Sequence, residues 1–221
     1  MTSSEATVLA LLLSVAAVDL LAATERPSVE AQATESRTGT PCLRANLCDS
    51  TELWPTTFAA LKQEASAIYS TAGVDVVWQH KCSAEESAAL AREDVAKVYV
   101  LAEIPTPIVF RQRRFSKLPL MGYNLSEHDG SLSSVIYVSR QAVEKLLRVE
   151  DPKRLARALG RITAHELAHR FLQSRHTSAG ILRAEVEHAD WLDDDPSDLY
   201  FTDDQTTTLQ SLAKPCAPEP E

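Results

Sequence analysis

The chain has 221 residues, of which 44% are hydrophobic, 24% charged and 6% aromatic. That balance excludes a collagen-like fibre, a disordered tail and a stapled miniprotein, and it fits one globular domain of ordinary size. With 31 acidic against 22 basic side chains the net charge is -9, so there is no basic surface for sequence-independent binding and no nucleic-acid partner is expected.

The first element is an apolar stretch at residues 7–18, TVLALLLSVAAV, followed by the small residues Ala22 and Ala23. It has the length of a signal-peptide core, so residues 1–23 are expected to be a signal peptide and the protein to be secreted or periplasmic. No Lys or Arg precedes the stretch and Asp19 interrupts it, which leaves an uncleaved N-terminal anchor as the other reading. No later stretch is long and apolar enough to cross a bilayer, so no stable membrane span is expected after cleavage. Residues 24–52, poor in large apolar side chains, read as a linker.

The folded domain is expected over residues 53–215. Pro55-Thr56-Thr57 starts a helix on which Phe58, Leu61, Ala65 and Ile68 recur at helical spacing, and Gly73 stops it. Val74, Val76, Val77 and Trp78 then read as a strand, and Val98 to Leu101 as a second. Ile108-Val109-Phe110 is a third apolar run. Leu118 to Leu125 is a fourth, and its Pro119 and Gly122 point to a sheet edge. Ser134 to Ser139 is a further strand, and a short helix follows near Gln141 to Arg148. Together these give an α/β (α+β) fold class, a mixed sheet with helices on it. Residues 216–221 read as a frayed tail that already begins at Pro215.

Asp151-Pro152 opens a long helix that runs without a breaker to about Gln173. At 100° per residue, Leu155, Ala158, Leu159, Ile162, His165, Glu166 and His169 share an arc of about 120°. Ala156, Gly160, Ala164, Leu167 and Phe171 form a second apolar arc, and Arg154, Arg157 and Arg161 fill the remaining stripe. The helix is therefore expected to lie between the sheet and another layer.

Residues 165–169 spell HELAH, the HExxH pattern. Residues i and i+4 sit about 6 Å apart along one helical face, so His165 and His169 can share one Zn2+ at about 2.0–2.1 Å from each nitrogen. Glu166, beside them, is placed as the general base toward an attacking water. The bland alternative is a pair of surface histidines with Glu166 paired to Arg170 at i+4. His176, just past the helix end, is the first choice for third ligand. Glu185, Glu187, His188 and Asp190 compete with it, while His80 and His128 read as ordinary loop histidines and Asp193-Asp194-Asp195 as a solvated turn.

Cys42, Cys48, Cys82 and Cys216 are even in number and contain no CxxC pair, so two disulfides fit better than a redox motif. Three connectivities are open. Cys42 with Cys48 would close a small loop, and Cys82 with Cys216 would tie the end of the first predicted strand to the C-terminus. A thiol of Cys42 or Cys48 capping the metal is a further reading.

HELAHRFLQSRH followed by TSAGILRA resembles the signature of the metzincin clan of zinc metallopeptidases, HExxHxxGxxH with one extra residue and then a Met-turn. Leu172 stands where the clan has its turning glycine, Arg175 at the usual third histidine, and Leu182 at the methionine. Carried across residue by residue, the resemblance implies zinc ligation by His165, His169 and His176, catalysis by Glu166, and Leu182 as a hydrophobic floor. AGVDVVWQHKC, VYVLAEI, LMGYNL, SSVIYVS and LYFTDDQTTTLQSL are similar to segments of small exported bacterial proteins with a metzincin-like core, a likeness that spans residues 53–213.

What the resemblance implies is a metzincin-like fold with a mixed twisted sheet, a long active-site helix and a small irregular C-terminal half. The strand around Leu120 to Leu125 would be the edge above the cleft, where an extended peptide or protein substrate pairs. The activity implied is hydrolysis of peptide bonds with zinc as cofactor. Tyr123, Arg175 and Arg183 are polar candidates for extra stabilisation of the oxyanion. The competing reading is a zinc-binding module of the same fold without turnover.

Overall fold

A computed structural model describes residues 40–90, 95–104, 120–126, 132–184, 186–195 and 198–216, without the side chains of 87–89, 125 and 126. Residues 1–39, where a signal peptide and most of a linker are expected, the run Ile108-Val109-Phe110, Leu118, Pro119, His128, Glu185 and residues 217–221 lie outside the described residues.

The sheet contains β1 (Pro41–Asp49), β2 (Asp75–Gln79), β3 (Ala96–Leu101), β4 (Gly122–Ser126), β5 (Leu132–Ser139) and the two-residue β6 (Lys214–Pro215). Its order is β2-β1-β3-β5-β4, with β6 added to the start of β1. β1, β2, β3 and β5 run parallel, whereas β4 is antiparallel to β5 and forms an edge. The fold is thus a mixed α/β sheet with helices α1 (Pro55–Thr71), α2 (Ala84–Leu90), α3 (Arg140–Leu147), α4 (Pro152–Leu172), α5 (His188–Leu192) and α6 (Asp203–Leu212).

The linker expectation needs correction over residues 41–49. They form β1, the strand between β2 and β3, so the domain begins about a dozen residues before Leu53. Leu43, Ala45 and Leu47 face the helices, while Cys42, Asn46 and Cys48 are also buried, on the other face. Asn46 hid the strand, because a polar residue broke the apolar run. Burial suits it because its amide accepts from Lys81 N at 2.8 Å and donates to Lys81 O at 3.0 Å.

The tail expectation also fails at its start. Pro215 pairs with Pro41, and Cys216 is bonded to Cys42. The second disulfide joins Cys48 to Cys82. Cys42 and Cys48 sit six residues apart on one strand, roughly 20 Å, so they cannot bond to each other. Each instead meets a cysteine whose Cα lies 5.5 or 5.6 Å away. No cysteine remains free to cap a metal. Both disulfides fit an oxidising compartment, and among the described residues no helix is long and apolar enough to cross a membrane.

Helix α4 starts as its sequence dictates: Asp151 accepts from Arg154 N at 2.8 Å and Pro152 occupies the first turn. Leu155, Ala158, Leu159 and Ile162 join Val98, Val100, Ile136 and Val138 in one core. Its second arc meets α1 at Gly160, where an added Cβ would lie 2.7 Å from Leu61 O and 2.7 Å from Glu64 Cβ. Along the arginine stripe Arg154 is exposed, whereas Arg161 is fully buried, with Nε 2.7 Å from Glu64 and Nη1 donating to Asp190 O at 2.5 Å. Arg157 pairs with Asp194 and donates to Leu192 O, so α5 closes the third side of α4.

Since the atom opposing a new methyl at Gly160 is backbone, Gly160→Ala must push α1 from α4. The expected loss is about 1–3 kcal/mol, measured as a lower urea midpoint with an unchanged denaturant slope.

Candidate metal centre

His165 and His169 lie one turn apart on the buried face of α4, 7% and 8% exposed. Each ring is aimed by a main-chain carbonyl. His165 Nδ1 is 2.6 Å from Ile181 O, and His169 Nδ1 is 2.7 Å from Ser174 O. A carbonyl only accepts, so both Nδ1 atoms carry hydrogen and both Nε2 atoms present lone pairs. These two Nε2 atoms face each other at 3.1 Å. Neutral imidazoles so arranged have no proton to share, whereas two tetrahedral ligands at 2.0–2.1 Å from one ion stand about 3.3 Å apart.

His176 completes the group. Its ring centroid is 4.8 Å from that of His169 and 5.5 Å from that of His165, and ligand atoms of the three histidines all lie within 4.8 Å of one another. These residues can bind a metal ion. Burial disfavours the charged imidazolium in all three: His165 is pushed down to about 3, mainly by desolvation and then by His169, and His169 and His176 are lowered mainly by desolvation. All three therefore stand at neutral pH in the form that ligates.

The turn that delivers His176 explains the missing glycine. Leu172 is still helical, and the left-handed residue is Gln173, at φ 47°. The extra residue lengthens the helix by one and leaves three steps from the turning residue to the histidine, as in the signature. A left-handed non-glycine costs roughly 1–2 kcal/mol. The Gln173 side chain offsets it by accepting from Leu132 N at 2.8 Å and donating to Arg170 O at 2.6 Å. Arg175, at the signature's usual histidine position, is exposed.

The segment after His176 folds back under the helix. Thr177 N donates to Leu182 O at 2.8 Å, Ile181 N donates to Tyr200 O at 2.7 Å, and Ile181 O holds His165. Gly180 makes this possible with φ 72° and with Tyr200 O 2.5 Å from where a Cβ would stand. Leu182 is fully buried, so an aliphatic side chain fills the methionine position.

The competing ligands are engaged elsewhere. His188 Nε2 meets Leu147 O at 2.9 Å, Asp190 accepts from Arg183 at 2.6 Å and from Glu187 N at 2.9 Å, and Glu187 itself is exposed. Arg183 is therefore a structural cation rather than a group facing the site. His80 is an exposed residue beside Leu47 O, and Asp193 to Asp195 are exposed.

Glu166 is buried at 8% exposure, and burial raises its carboxyl to about 7 against an opposing hydrogen bond from Asn124. That places its proton affinity near neutral pH, as a general base requires. The carboxylate faces Asn124 and Gly122 of β4 rather than Arg170. Neither Asn124 nor this use of Gly122 was legible as part of the site. The available signal was a polar residue at a core-facing position of a strand, which demands a partner. Tyr123 alternates to the opposite face and pairs in register with Tyr137.

No family model matches the sequence, and no curated protein matches it. The structure is similar to that of archaemetzincin from Methanopyrus kandleri, with a TM-score of 0.45 and 14% identity over 77% of this chain and 94% of that chain.

His176→Ala is expected to lower bound metal well below one equivalent by elemental analysis, with Glu187→Ala and His188→Ala keeping the full equivalent.

Proposed function

We propose that this protein is an exported zinc-dependent metallopeptidase. The observation that carries this reading is a group of three histidines whose ligand atoms lie within 4.8 Å of one another, beside a buried carboxyl group whose proton affinity is raised toward neutral pH. Three nitrogen ligands with a fourth position left open suit zinc in a hydrolytic site. Zinc held by His165, His169 and His176 would supply Lewis-acid polarisation of the scissile carbonyl.

The chain's own residues do the rest. Ile181 O and Ser174 O fix the tautomers and aims of the two helical ligands. Glu166 takes the proton of the attacking water and passes it to the leaving amine. β4, the sheet's edge, offers main-chain groups to an extended peptide, so substrate binding draws on backbone pairing as well as side-chain pockets. Export is supported by the apolar N-terminal stretch and by two disulfides.

The test is cleavage of a mixed peptide library by zinc-loaded protein beside Glu166→Ala. The wild-type protein is expected to cleave, and the variant to lose about 100- to 10,000-fold in kcat while keeping its zinc. A chelator should abolish cleavage, and added zinc restore it. Stoichiometric zinc with no cleavage by either protein would leave a binding module of this fold as the answer.

A further inference from the structure

The general base owes its place to two residues of β4 that lie outside the HExxH pattern. Period-two alternation sets Gly122 and Asn124 on the face of β4 that packs on α4. Gly122 provides clearance: a Cβ there would stand 2.5 Å from Glu166 Oε1, 2.7 Å from Cγ and 2.8 Å from Cδ. Asn124 provides the grip. Its Nδ2 donates to Glu166 O at 2.7 Å and to Glu166 Oε2 at 2.9 Å.

Chemistry settles which way the Asn124 amide points, because a main-chain carbonyl and a carboxylate both accept and only Nδ2 can face them. Both of its hydrogens go to one residue. Asn124 is itself 7% exposed, and its Oδ1 is buried with no hydrogen-bond partner among the described residues. Leaving that acceptor unpaired lowers stability, and a strand position in a core is filled more stably by an apolar side chain. The residue is kept polar against the interest of the fold.

We propose that Asn124 is a positioning residue for Glu166. It holds the carboxylate by Oε2, leaves Oε1 as the oxygen that meets the water proton, and ties the base to the strand on which an extended peptide pairs. Register on β4 and placement of the base are then one mechanical unit, so a peptide seated on that edge is seated relative to Oε1. The proposal rests on the peptidase reading above.

The experiment uses the full zinc-loaded protein, the best peptide found in the library, and the variants Asn124→Ala and Asn124→Asp. The expected result is a fall in kcat of about 10- to 100-fold, the scale of a base displaced by a fraction of its reach. KM should stay within about twofold, and zinc at one equivalent. A second readout needs no turnover. In protein labelled with 13C at the glutamate carboxyl, the Glu166 resonance is identified by its loss in Glu166→Gln. It should move in Asn124→Ala both with and without metal. Asn124→Asp, nearly isosteric, carries the test should Asn124→Ala fail to fold. An unchanged kcat, a change confined to KM, or an unmoved Glu166 resonance overturns the proposal. Absence of cleavage by the wild-type protein, with the resonance shifted, defeats the peptidase reading and the positioning role with it, leaving only the contact.

Discussion

Two imidazole nitrogens 3.1 Å apart, each with its lone pair turned toward the other, repel. The protein holds them there by donating their opposite ring hydrogens to main-chain carbonyls, one in the turn at Ile181 and one at the helix exit at Ser174. Those carbonyls cannot move without the elements that carry them. Ile181 is pinned through Tyr200, and Ser174 by the reversal at Gln173, whose amide is fastened to the start of β5. The local electrostatic tension is thus supported by hydrogen bonds spread over the C-terminal half. A cation between the rings would relieve it.

The same logic places the carboxyl group. A glutamate in so buried a setting resists ionisation, and among the described residues the group opposing this is the Asn124 amide on β4. The sheet edge and α4 therefore approach closely at Glu166, with no side chain on Gly122 to separate them. A carboxyl group held between one helix and one strand suits chemistry that needs a proton acceptor kept within a few tenths of an ångström.

Much of this was readable in the sequence, because the signals were local. HELAH on a capped helix, the Asp151-Pro152 start and the short β-branched strands each depend on neighbours within a turn or a pleat, and His176 required only a count of residues past the helix. β1 was missed since its burial is shared with Asn46, which is acceptable inside the sheet only because Lys81 comes to it from 35 residues away. The disulfide partners followed from strand order, which no spacing reveals. Asn124 was invisible for a similar reason: its meaning lies in a carboxylate 42 positions later. The burial of Arg161 was not legible because its compensating charge, Glu64, sits on another helix. What escaped was consistently polar, buried and partnered at long range.

The bond between Cys42 and Cys216 encloses nearly the whole described domain in one covalent ring, across a separation of 174 residues. On the reading proposed above, as an exported peptidase, the protein would meet other such enzymes and copies of itself. Within a closed ring, one severed peptide bond opens the circle but releases no fragment, and the pieces stay registered by the sheet and the helices. His165, Glu166, His169 and His176 all lie inside that circle, so a single nick in a surface loop leaves the candidate site on one molecule, and the damage shows on a gel only after the sulfurs are reduced.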